Sequence, residues 1–188
     1  MKKGLKIVIA AVVVVLVLVG IVAGSYNSLV SAQTAVETKQ ADIQTQLQRR
    51  ADLIPNFVST VKGYTKYEQE TLTAVTEARA KVGTASDAKS LSEADEELDK
   101  AISVWVNAVT EAYPDLKANS NYIALQDELA GTENRIAVAR KDYNEAVQSY
   151  NTMIKKFPKN IIAGMFGFEK SEFFKADVNS QTVPNVEF

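Results

Sequence analysis

The chain has 188 residues, 46% of them hydrophobic, and a formal net charge of -2, which suits one domain of ordinary size with an appendage. It contains no cysteine and no histidine, excluding disulfides, acylation at cysteine, thiolate chemistry and the commonest metal ligands. Three of the 21 basic residues, Lys2, Lys3 and Lys6, lie at the amino terminus; the rest of the chain is mildly acidic and has no basic block, so no nucleic acid is expected as a partner.

The first element is an apolar run over residues 7–24, IVIAAVVVVLVLVGIVAG, without a charge. As a helix it spans about 27 Å, and including Leu5 brings it to the thickness of a bilayer's hydrocarbon core, so residues 5–24 are expected to cross the lipid bilayer. The competing reading is a cleaved signal peptide, for which Ala23 and Ser25 form a small-x-small site, but the run is longer than the usual apolar core. Three lysines before the run, and none after it until Lys39, place the amino terminus in the cytoplasm and the rest outside. Tyr26 falls at the depth of the outer interface, where an amphipathic ring is favoured.

Beyond the anchor, apolar residues recur at helical spacing. Val36, Ile43, Leu47, Ile54, Val58, Val61, Leu72 and Val75 share one face, predicting a helix over 25–82 that Pro55 kinks and Gly63 does not end. The polar stretch GTASDAKS (83–90) is a turn, with Ser90 or Ser92 capping a second helix on Leu91, Ala94, Leu98, Ala101, Trp105, Ala108 and Ala112. That helix ends at Tyr113-Pro114, and Asn119 or Ser120 caps a third, whose seam runs from Tyr122 through Ile136, Tyr143 and Tyr150 to Phe157 in steps of three and four, a coiled-coil-like pattern. Pro158 ends it. The expected fold is all-α: an amino-terminal transmembrane helix plus an antiparallel bundle of three long helices with a short fourth helix. The domains are 1–24 (tail and anchor), 25–176 (bundle) and 177–188 (irregular tail). If the second helix folds back and the third runs outward again, Phe157 lies far from the membrane.

The segments YNSLV (26–30), QLQRRADLIPNFVSTVKGY (46–64), YPDLKANSNYIALQDEL (113–129), AVARKDYNEAVQSYN (137–151) and FPKNIIAGMFGFEKSEFF (157–174) together resemble the LemA family of bacterial membrane proteins. The match is ordered and covers nearly the whole chain. The resemblance implies an amino-terminal anchor, a helical bundle and no established enzymatic activity. It also suggests other envelope proteins as partners, with a membrane protease or a TPM-type protein as candidates. Magnetosome-associated members imply that such a scaffold can serve membrane organisation.

Among candidate sites, Arg49, Arg50 and Asp52 on the first long helix and Arg140 and Asp142 on the third carry charges that could bridge and fix helix register, with acid-base work as the minority reading. Glu68 and Glu70, or Glu93, Asp95, Glu96 and Glu97, could be read as carboxylate metal ligands. Without histidine, the second group reads better as a solvated face favoured near a helix amino terminus. Tyr122, Tyr143 and Tyr150 are expected in the core, a ligand pocket being the alternative. Ile161, Ile162, Met165, Phe166, Phe168, Phe173 and Phe174 crowd a segment broken by Gly164 and Gly167; it either covers the bundle end or docks a partner protein. No cofactor is expected. The function expected is a non-enzymatic, single-pass scaffold or adaptor of the cell envelope; the alternatives are a lipid or small-ligand carrier and, less favoured, an enzyme using carboxylates such as Asp52 and Asp142.

Overall fold

A computed structural model describes residues 2–62 and 69–174. Five α-helices, and no strand, occur among them: α1 (Lys2–Lys62), α2 (Gln69–Thr84), α3 (Ala88–Ala112), α4 (Ser120–Met153) and α5 (Lys159–Phe166), with a 3-10 turn at Pro114–Ala118 between α3 and α4. The all-α class, the second and third long helices of the bundle and the short terminal one stand as expected. Gly63, Glu68 and the tail 177–188 lie outside the described residues, as does the side chain of Glu70.

The chain divides into two compact units. The first joins residues up to 38 with 145–171, and the second joins 39–144 with 172 onward.

In the second unit four helical segments alternate in direction. Arg79 of α2 pairs with Asp52 of α1 at 3.5 Å, and Gln40 Nε2 donates to the Ser86 carbonyl just beyond α2 at 2.9 Å. These pairs make α2 antiparallel to α1, so the helix expected over 25–82 is in fact two helices. Pro55 lies inside α1 and does not end it. Arg50 meets Asp99 while Phe57 meets Trp105, so α3 runs parallel to α1. Arg49 with Glu128 and Lys39 with Asp142 make α4 antiparallel to it. This is up-down-up-down connectivity. Its core holds Ile43, Leu47, Ile54 and Phe57 of α1, Val75 and Val82 of α2, Leu91, Leu98, Ile102, Trp105 and Val109 of α3, and Tyr122, Ile136 and Tyr143 of α4. Each such side chain contributes about 1.5–3 kcal/mol by leaving water.

The ends of α3 and α4 follow local chemistry. Asp87, rather than Ser90 or Ser92, caps α3: its carboxylate accepts from the Ser90 amide at 2.8 Å, while the Asp87 amide donates to Ser90 Oγ at 3.1 Å. This reciprocal arrangement satisfies two amides that a helix start leaves open. Asn119 caps α4 by accepting from the amides of Asn121 and Tyr122, as expected.

In the first unit, the last turns of α4 lie beside the start of the polar part of α1. Ser28 Oγ donates to Met153 Sδ at 3.4 Å, and Lys159 Nζ donates to Ser28 Oγ at 2.7 Å. Leu29, Ile162 and Ala163 form a small buried cluster, with Val22, Met153, Ile154 and Phe168 packed against it. This overturns the expectation that Phe157 lies far from the anchor. The additional reversal between α1 and α2 brings the end of α4 back to the residues that follow the apolar run. Phe157 itself leaves the seam and is 80% exposed. Gly167 ends α5 with φ +74°, a left-handed conformation that glycine adopts without steric cost, and the Phe168 amide closes back onto the Ala163 carbonyl at 3.0 Å.

Candidate functional site

Two features depart from the ordinary rules of burial, one in each unit. The first begins with Arg50, which stands on the core face of α1 among Leu47, Ala51 and Ile54 and is 4% exposed. Asp95 occupies the matching face of α3 between Leu91 and Leu98 and is 0% exposed. Arg140 of α4 forms an ion pair with Asp95 Oδ2. Arg50 Nη1 stands 3.9 Å from Asp95 Oδ1, and the same guanidinium holds Asp99 Oδ1 at 2.7 Å and Glu133 Oε2 at 2.5 Å. Arg140 also lies over the Phe174 ring, 5.3 Å from its centroid. A buried carboxylate is tolerated only with compensating charge, and the cluster supplies it from two helices at once.

The five residues singled out for ion pairing therefore divide. Arg50 and Arg140 converge on Asp95, a third helix's residue that mediates what was expected as a direct bridge. Arg49 pairs with Glu128 at 2.9 Å, Asp52 with Arg79 at 3.5 Å and Asp142 with Lys39 at 3.5 Å, all with substantially exposed side chains. Exposed pairs of this kind contribute about 0–1 kcal/mol each. Asp95 corrects the reading of the 93–97 acids as one solvated face: Glu93, Glu96 and Glu97 are exposed, Asp95 is not. These acids also lie beyond the first turn of α3, which starts at Ala88. The missed signal was positional, because Asp95 falls four residues after Leu91 and three before Leu98, on the seam. Among the described residues, no group of three or more carboxylates is placed to hold a metal ion.

The tyrosines lie in the core. Tyr122 shares a hydrogen bond with Thr110 Oγ1 at 2.6 Å, and Tyr143 donates to the Glu172 carbonyl at 2.9 Å. Burial raises the Tyr143 and Tyr150 hydroxyls above the ordinary tyrosine range.

The second feature is the terminal segment. Its apolar residues do not act as one surface. Ile162 is buried in the cluster with Leu29, Phe168 is partly buried against the same cluster, and Phe174 is buried in the second unit near Tyr143, clamped by reciprocal bonds between its backbone and the Asn144 amide group. Phe173 is 47% exposed. Ile161, Met165 and Phe166 remain open at 52%, 71% and 53%. Phe166 meets Tyr26 in a tilted contact with ring centroids 4.9 Å apart, and Phe168 approaches the same ring edge-on at 5.7 Å.

Before Tyr26 on α1 lies the apolar run. Among the described residues, α1 is the one helix long and apolar enough to cross a membrane, and none of its most apolar window is buried. The core helix of a soluble protein would bury such a stretch.

A family model described as the LemA family matches residues 39–188. The chain is similar to Protein LemA of Metamycoplasma hominis, 28% identical over 169 residues that cover 86% of this chain and 77% of that protein. It is similar to magnetosome protein MamQ 2 of Paramagnetospirillum magneticum, 26% identical with 80% of this chain and 64% of that protein covered. Magnetosome protein MamQ of Magnetospirillum gryphiswaldense is 22% identical, with 79% of this chain and 64% of that protein covered. With the family match running through the whole ion cluster and the terminal helix, this chain belongs to the LemA family.

Proposed function

We propose that the chain is a single-pass protein of the bacterial cell envelope, amino terminus in the cytoplasm and bundle outside, that works without catalysis as a scaffold or adaptor binding other envelope proteins. The observation that carries this reading is α1 itself: one uninterrupted helix supplies both the exposed apolar stretch and the residues Ile43 to Val61 of the bundle core. Lys3 and Lys6 ahead of the apolar run favour the cytoplasmic side for the amino terminus.

A non-catalytic role is supported by where the charges go. The carboxylate with the most unusual surroundings, Asp95, is sealed from solvent by the two arginines and the packed helices, so no substrate reaches it. Asp52 and Asp142 are engaged in surface ion pairs. Proximity labelling from a tag in the bundle, in living cells, tests the proposal. The expected neighbours are envelope proteins, with a membrane protease or a TPM-type protein as candidates; recovery of cytoplasmic proteins alone would contradict it.

A further inference from the structure

We propose that α5 and the turn before it form a foot that rests on the anionic lipid surface beside the span, with Phe157, Ile161, Met165 and Phe166 dipping into the headgroup boundary. The inference rests on reading the apolar run as a membrane span and adds a second, peripheral attachment to it. Its first support is position. Val22 lies within the apolar run, and Ile162 and Ala163 of α5 belong to the cluster on which it packs. Tyr26, two residues past the end of that run, contacts Phe166 directly. Since α5 is packed against the last turns of the span, it lies at the depth where hydrocarbon gives way to headgroups.

The second support is the side of α5 that faces away from this cluster. Ile161 and Met165, both within α5, are four residues apart and share one helical face, and Phe157 lies exposed in the turn just before the helix. In water, holding these large apolar side chains and much of Phe166 exposed is unfavourable. At an interface the same face becomes favourable.

The third support is charge. Residues 151–168 contain Lys155, Lys156 and Lys159 and no acid, in a chain whose net charge is -2. Lys155 and Lys156 are exposed, and Lys159 is held in place by its bond to Ser28. Lysines at this depth meet lipid phosphates.

The absence of native cysteine makes the test direct. Full-length single-cysteine variants Met165→Cys, Val14→Cys and Val104→Cys are labelled with an environment-sensitive fluorophore and reconstituted in phosphatidylcholine vesicles with and without phosphatidylglycerol. The expected result is blue-shifted emission for the Met165 label, intermediate between Val14 in the hydrocarbon and Val104 in water, and a larger shift when phosphatidylglycerol is present. Water-like emission at Met165 with a buried Val14 label overturns the foot while leaving the span intact; water-like emission at both overturns the span. Burial at Met165 that appears only when other membrane proteins are added assigns the face to a protein partner and overturns the lipid assignment. An equal shift in the two lipid mixtures overturns the part assigned to the lysines.

Discussion

Arg50 and Met165 each break the usual rule for their residue type, in opposite directions: the arginine is 4% exposed in the second unit, while the methionine is 71% exposed in the first. In the second unit the exception has its explanation within the protein, because Asp95, Asp99 and Glu133 surround the guanidinium. In the first unit Ile161, Met165 and Phe166 stay more than half exposed, although Phe166 meets the Tyr26 ring just past the apolar run. A buried charge is explained by partners on other helices; an exposed apolar face next to a membrane span is explained by the solvent it meets.

The comparison breaks most visibly at Asp95. Asp95→Ala leaves Arg50 and Arg140 facing each other without their shared carboxylate, and a loss of about 3–5 kcal/mol is expected in thermal unfolding of the detergent-solubilised protein. Replacing Arg50, Asp95 and Arg140 together by Met, Leu and Met should cost less, since no buried charge is left without a partner and Asp99 and Glu133, which lose Arg50, are partly exposed to water. A triple variant as unstable as Asp95→Ala would mean that the cluster does more than balance charge.

Phe57→Ala, which empties the contact with Trp105 and Tyr122 at centroid distances of 5.0 and 5.1 Å, should cost about 3–5 kcal/mol. Met165→Ser should change stability in detergent by no more than about 0.5 kcal/mol, as expected for a surface position. Equal effects at the two sites would show that α5's open face is packed against protein.

A smaller, pH-dependent effect belongs to the α3 cap. The bond from the Ser90 amide holds the Asp87 carboxyl below its ordinary 3.8. A depressed folded value means that the cap's contribution is complete above about pH 4 and is lost as the pH falls through the folded value. Melting curves of the parent and Asp87→Ala should converge in acid and separate near neutrality. Also small, Arg49→Ala breaks an exposed pair with Glu128 and should shift stability by about 0–1 kcal/mol, declining with salt.

Most helices and the long exposed apolar stretch of α1 were legible because their signals are local: an uncharged run, apolar residues at steps of three and four, and polar turns. The reversal after Lys62 was not. Val61 and Leu72 are eleven residues apart, close to three helical turns, so the apolar phase reads straight through a change of direction that periodicity does not detect. Missing that reversal misplaced the end of α4 and with it α5. Arg50 and Arg140 were visible as charges, but Asp95 was hidden among exposed acids, and only its register with Leu91 and Leu98 distinguishes it. The terminal apolar cluster was visible as composition; which of its residues face inward depended on α1 and α4 meeting it, a long-range contact no local pattern encodes.

The central claim is that the chain spans a membrane once and holds its bundle outside the cytoplasm. Single-cysteine variants Lys3→Cys and Ser86→Cys, treated with a membrane-impermeant maleimide in intact spheroplasts, test it most directly. The expected result is rapid labelling at position 86 and labelling at position 3 only after permeabilisation. Labelling at position 3 with protection at 86 would contradict it.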